Sequence, residues 1–328
     1  MQELIAEKKH FSKMGWLYTA AVAIIYLLQM IIGAILRTVK PEWLGNMDLN
    51  VLFGMIPMYL VAFPLLAVLL KKIVPGERIE RHKMTVGQYI LSAIICTGIA
   101  YAANFAGTLM TTVIGFFTGN TVKNEISMMV TSMSPWSVLF YTVLCAPVME
   151  EFVFRKLIVD RAVRYGQGVA VVISGLMFGL FHGNLNQFVY AATIGAFLAY
   201  LYVRTGNLKI TISLHMLFNF IGGFVPSMLL RKIDMGEYLA LAGAAPGDGS
   251  VSEMLWLVVL VVFELFVIGI TIAGVVLFIV FAAMRKFVLS PGQTSIPKQV
   301  KLSIALGNMG MAVFCLFWII QIVCQLFA

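Results

Sequence analysis

The run APVMEEFVFRKLI, Ala146 to Ile158, sets two adjacent carboxylates and an arginine in sequence otherwise suited to lipid. At about 100° per residue along a helix, Glu151 and Arg155 share a face as an i,i+4 pair, whereas Glu150 points about 140° away from Arg155. Glu151 therefore has a charge partner on its own helix, and Glu150 has none. That leaves Glu150 as the carboxylate able to act as a general base. Pro147 lacks a backbone N–H and is expected to kink the helix, freeing carbonyls that need another partner. Further along, HMLFN places His215 and Asn219 at i,i+4, so both project toward one point, where two donors could hold an oxyanion. FGLFH puts the Phe178 ring one turn before His182 on the same face.

Each group also has a structural reading. The two acids and the arginine can form an ion-pair cluster, His215 and Asn219 can join two helices, and His182 can simply end one. Taken together, a carboxylate without a local partner, two imidazoles and an amide supply the base and the donors that peptide hydrolysis needs. An ion-coupled transporter, or a non-enzymatic immunity or scaffold protein, could use the same buried polar residues. A serine mechanism is disfavoured, because the chain has no Gly-x-Ser-x-Gly turn.

The elements that must position these groups are membrane helices. Of 328 residues 61% are hydrophobic and 12% charged, and the mean hydropathy is +0.95, which excludes a soluble globular domain. The expected fold is all-α: a polytopic integral membrane bundle of eight or nine transmembrane helices, read as one domain over residues 1–328 with its catalytic core at about 134–223. The apolar runs cover roughly 16–36, 51–74, 88–117, 135–159, 169–185, 187–203, 209–230, 253–284 and 302–327. The last is the one the charge pattern leaves optional. HGNLNQ is the expected turn between the fifth and sixth runs.

The net charge of +8 is distributed between these runs rather than along one face, so it reads as topology and not as a nucleic-acid surface. With a cytoplasmic N-terminus, only Arg37, Lys40, Lys123, Arg231 and Lys232 fall outside, which suggests a plasma-membrane protein of that orientation. The first run, behind Lys8, Lys9 and Lys13, reads as an uncleaved span. Leu241 to Glu253 reads as a flexible external loop. Gly175, Gly179 and Gly183 form a stripe that allows close helix packing, and Glu264 is expected either to be hydrogen-bonded to another span, the favoured reading, or to face a substrate path. Cys96, Cys145, Cys315 and Cys324 lie in apolar segments and suggest no metal or disulfide framework.

Read in order, EEFVFR, FGLFH and HMLFN form EExxxR, FxxxH and HxxxN on successive spans. This triple resembles the CAAX prenyl protease type II and bacteriocin-processing (CPBP, or Abi) family of intramembrane endopeptidases, over roughly Ser134 to Gly223. The resemblance implies that Glu150 and His182 activate water, that His215 and Asn219 stabilise the oxyanion, and that Glu151 and Arg155 support them. Phe178 stands at the aromatic position of the second motif. It also implies a peptide or membrane-protein substrate, which includes prenylated CAAX proteins, met within the lipid bilayer. The cofactor is either none or one divalent metal such as zinc, for which Glu150, His182 and His215 are the available ligands.

Overall fold

The structure, a computed structural model, describes residues 2–119, 125–233, 251–294 and 296–327. Every regular element among them is helical: α1 (Gln2–Val39), α2 (Met47–Ile73), α3 (Val86–Thr118), a short α4 (Glu125–Ser132), α5 (Pro135–Tyr165), α6 (Gln167–Phe181), α7 (Leu185–Thr205), α8 (Leu208–Leu230), α9 (Val251–Ala283), α10 (Lys298–Leu306) and α11 (Met309–Leu326). Eight of these, all but α4, α6 and α10, are long and apolar enough to cross a membrane. The all-α membrane bundle expected from composition is what forms.

Two spans differ from the sequence reading. The final run is divided at Gly307, and Asn308 caps the new helix by accepting from the Met311 N–H, so α11 rather than a single 302–327 segment is long enough to cross. The fifth run is the short one. α6 has 15 residues, because Gly166 enters it in the left-handed region (φ +121°) and Gly183 leaves it there (φ +68°). A helix of that length rises about 22 Å against a hydrocarbon core of about 30 Å. His182 caps its C-terminal end. The turn expected at HGNLNQ does form, and the Asn184 side chain caps α7. Of the loop expected from Leu241 to Glu253, residues 241–250 lie outside the described residues, and α9 begins at Val251.

Lipid offers no hydrophobic gain between helices, so close contact has to come from small residues. A Cβ on Gly175 would stand 2.8 Å from the Ala196 Cβ, and one on Gly179 would stand 2.7 Å from the Ala192 Cβ, so α6 and α7 meet backbone to backbone. The third glycine of the expected stripe, Gly183, serves the turn instead, facing Trp318. α7 also packs along α3, α3 along α9, and α1 along α11.

Four helical segments are wound as wider π turns: Pro57–Ala62 in α2, Val138–Cys145 and Glu151–Leu157 in α5, and Phe220–Phe224 in α8. Such turns leave carbonyls out of the regular ladder, and inside a membrane these must find partners from the protein. In α5 and α8 they do so across helices. Tyr18 of α1 donates to the Val153 carbonyl at 2.7 Å, Ser174 of α6 to Phe154 at 2.7 Å, and Tyr101 of α3 to Ile221 at 3.3 Å.

Candidate active site

Pro147 determines the local geometry of α5. Within the π turn before it, the Ala146 N–H reaches the Tyr141 carbonyl five residues back, so the next donor in that pattern would be Pro147, bonding to Thr142. Proline has no N–H to give. The Asn219 side chain of α8 takes its place, donating from Nδ2 to the Thr142 carbonyl at 2.8 Å. The expected free carbonyl is thus real, and its partner is one of the residues expected at the site. One of the two Asn219 amide hydrogens is committed there, and the other is left for chemistry.

The adjacent acids divide their contacts. Glu151 is fully buried, with Oε1 3.0 Å from Arg155 Nη2, as the i,i+4 spacing predicts. The same oxygen lies 2.9 Å from His215 Nδ1, a contact that helical geometry within α5 could not reveal. His215 Nε2 lies 3.7 Å from Glu150 Oε2. Glu150 has no arginine or lysine partner among the described residues, and its side chain is 18% exposed. Arg155 is fully buried, and its guanidinium carbon stands 4.4 Å from the centroid of the Phe178 ring.

Phe178 also meets both imidazoles edge-on, with ring centroids 4.8 Å from His182 and 5.7 Å from His215. One apolar ring thereby packs against three of the polar groups. His182 Nδ1 lies 2.8 Å from the Phe178 carbonyl. A carbonyl can only accept, so Nδ1 carries the proton, and the neutral ring keeps a lone pair on Nε2.

Glu150, Phe178, His182, His215 and Asn219 line one cavity of about 520 Å³. Glu151 and Arg155 lie behind its wall. The sequence reading placed the site between the fourth, fifth and seventh runs, and the cavity also draws on α2, α3, α4 and α7. Tyr59, Asn104, Met129, Gln187 and Tyr190 line it from those helices. The signal for the last two was present: Gln187 and Tyr190 stand at i,i+3 on an otherwise apolar helix.

The side chains as arranged do not suit a metal. Among the described residues no group of three His, Cys, Asp or Glu converges to hold an ion. Glu264 departs from its expected role as well. It is exposed on α9, no hydrogen bond or ion pair holds it among the described residues, and its electrostatic contact is with Tyr101.

Comparison with known proteins converges on the same segment. Residues 131–221 match the family described as type II CAAX prenyl endopeptidase, Rce1-like. The chain is 26% identical over 176 residues, 53% of its own length and 70% of the relative's, to YdiL of Bacillus subtilis strain 168, whose description assigns it provisionally to the membrane peptidases. No solved structure matches. The matched segment holds all three motifs, so the resemblance read from them is borne out.

Proposed function

We propose that this integral membrane protease, similar through residues 131–221 to the type II CAAX prenyl endopeptidases, hydrolyses a peptide bond with water activated by Glu150 and His182. The observation that carries this reading is the surroundings of Glu150: a carboxylate with no arginine or lysine partner among the described residues, in one cavity with both imidazoles and 3.7 Å from His215 Nε2.

In the reaction, a water molecule in the cavity gives a proton to Glu150, with His182 Nε2 as a second acceptor that keeps the water oriented. The water oxygen bonds to the substrate carbonyl carbon, and the carbonyl electrons become an oxyanion. The free N–H of Asn219 donates to that oxyanion, as does His215 Nε2. A His215 that donates from Nδ1 to Glu151 can donate from Nε2 only when both ring nitrogens carry hydrogen. As the carbon–nitrogen bond breaks, Glu150 returns the proton to the leaving amine. Glu151 and Arg155 act through His215 and Phe178, whose positions they hold. No step is routed through a metal.

The substrate is a peptide or membrane-protein segment presented in the bilayer, the class to which prenylated CAAX termini belong. The cavity's tyrosine, phenylalanine and aliphatic walls suit apolar side chains flanking the cut. The N-terminus faces the cytoplasm in this reading, and the membrane is the plasma membrane.

The test is quantitative proteomics of membranes carrying the wild type or Glu150→Ala. An uncleaved precursor should accumulate with Glu150→Ala and disappear when purified wild-type protein is added. Undiminished cleavage of that precursor by purified Glu150→Ala would overturn the assignment.

A further inference from the structure

The oxyanion donors identified so far are incomplete. Asn219 has already given one N–H to Thr142, and His215 can donate from Nε2 only while charged. One N–H of Asn219 is then the single neutral donor named, and α7 supplies a second.

A chain of side-chain amides starts at the loop that carries His182. Asn184 Nδ2 donates to the His182 carbonyl at 3.1 Å, and Asn184 Oδ1 accepts from the Gln187 backbone N–H at 2.8 Å. A carbonyl on one side and an N–H on the other leave this amide a single orientation. Asn184 Nδ2 also donates to Gln187 Oε1 at 2.5 Å, which orients the second amide, and Gln187 Nε2 then donates to the Tyr190 hydroxyl at 3.0 Å. Because the Tyr190 oxygen accepts there, its hydrogen must be given elsewhere. Tyr190 lines the same cavity as Glu150, His215 and Asn219. Its ring packs against Phe218, the neighbour of Asn219, at 5.9 Å between centroids. Tyr59 lines the cavity as well, but among the described residues no amide orients its hydroxyl.

We propose that Tyr190 is a further catalytic residue, donating its O–H to the tetrahedral oxyanion, and that Asn184 and Gln187 are positioning residues that aim it. This rests on the hydrolytic reading above. The donation is a hydrogen bond without proton transfer, so the route of the water proton through Glu150 is unchanged.

The precursor that accumulates with Glu150→Ala serves as the probe, purified and reconstituted in vesicles with wild type, Tyr190→Phe, Gln187→Ala or the double variant. Tyr190→Phe keeps the ring and loses the donor, so kcat should fall about 100- to 1000-fold, with KM and thermal unfolding close to wild type. Gln187→Ala should give a smaller fall, and the double variant should be no slower than Tyr190→Phe alone, because Gln187 acts only through that hydroxyl. Wild-type kcat in Tyr190→Phe, or losses that multiply in the double variant, would overturn the proposal. If no precursor accumulates with Glu150→Ala, the hydrolytic reading fails and takes this one with it. If the precursor accumulates with Glu150→Ala and Tyr190→Phe cuts it normally, Tyr190 alone is wrongly assigned.

Discussion

The imidazole of His215 is hydrogen-bonded at 2.9 Å to Glu151, the carboxylate that also pairs with buried Arg155. Neighbouring residues on a helix diverge by about 100°, so one histidine from another helix can sit in the angle between two adjacent acids. Its two nitrogens then face different carboxylates. Glu151 becomes the anchor, buried and doubly engaged, and Glu150 keeps an edge on the cavity.

The anchor can be tested apart from the chemistry. Glu151→Ala should strip a fully buried arginine of its counter-charge and destabilise the protein by about 3–5 kcal/mol, visible as a large drop in the unfolding temperature of the purified protein. Glu150→Ala, at the cavity edge, should unfold close to wild type while losing cleavage. Equal thermal stability of the two variants would refute this division of labour.

Asn219 has two tasks that a double variant can separate. Asn219→Ala should cost cleavage and also about 1–3 kcal/mol, because the Thr142 carbonyl loses its partner. Pro147→Ala restores a backbone N–H near that carbonyl. Adding it to Asn219→Ala should recover much of the stability and none of the activity, measured by thermal unfolding and by precursor cleavage on the same preparations.

The α6–α7 contact should be intolerant of added volume. Gly179→Val would push a side chain into the Ala192 Cβ and the Phe188 carbonyl, which already stand 2.7 and 2.9 Å from a Cβ at that position. The expected cost is about 1–3 kcal/mol from overpacking, with slower cleavage because His182 is carried by the displaced helix. Gly33→Ala on α1 is the control, since nothing lies within 4 Å of its Cβ position.

Chelation offers a fourth check. With no three candidate ligands converging, cleavage of the precursor by purified protein should continue unchanged in excess chelator. Activity that is lost in chelator and restored by added zinc would show a donor arrangement different from the one described.

Helical periodicity made much of this site legible. Spacings of four predicted the Glu151–Arg155 pair and the shared side of His215 and Asn219, because such partners lie on one helix and follow from its pitch alone. What it could not disclose were contacts between helices. The bond from His215 to Glu151, that from Asn219 to Thr142, and the walls contributed by Tyr59, Asn104 and Tyr190 all depend on how separate helices dock. The π turns were hidden too. A uniform 100° step was assumed through α5, yet Glu151–Leu157 winds more widely, and the Glu151–Arg155 pair survives that change. Glu264 shows the limit of reasoning from cost alone: an acid in an apolar run implies a partner, and the described residues provide only the nearby Tyr101.

The truncated reach of α6 sets a depth gauge for cleavage. With 15 residues it climbs about 22 Å from the α5–α6 connection, and Glu150 lies a similar number of residues back along α5 from that same connection. On the proposed hydrolytic reading, Glu150 and His182 therefore lie at like distances along their helices from one turn. A substrate bond that reaches one of them on that reading reaches the other at the same level along the two helices.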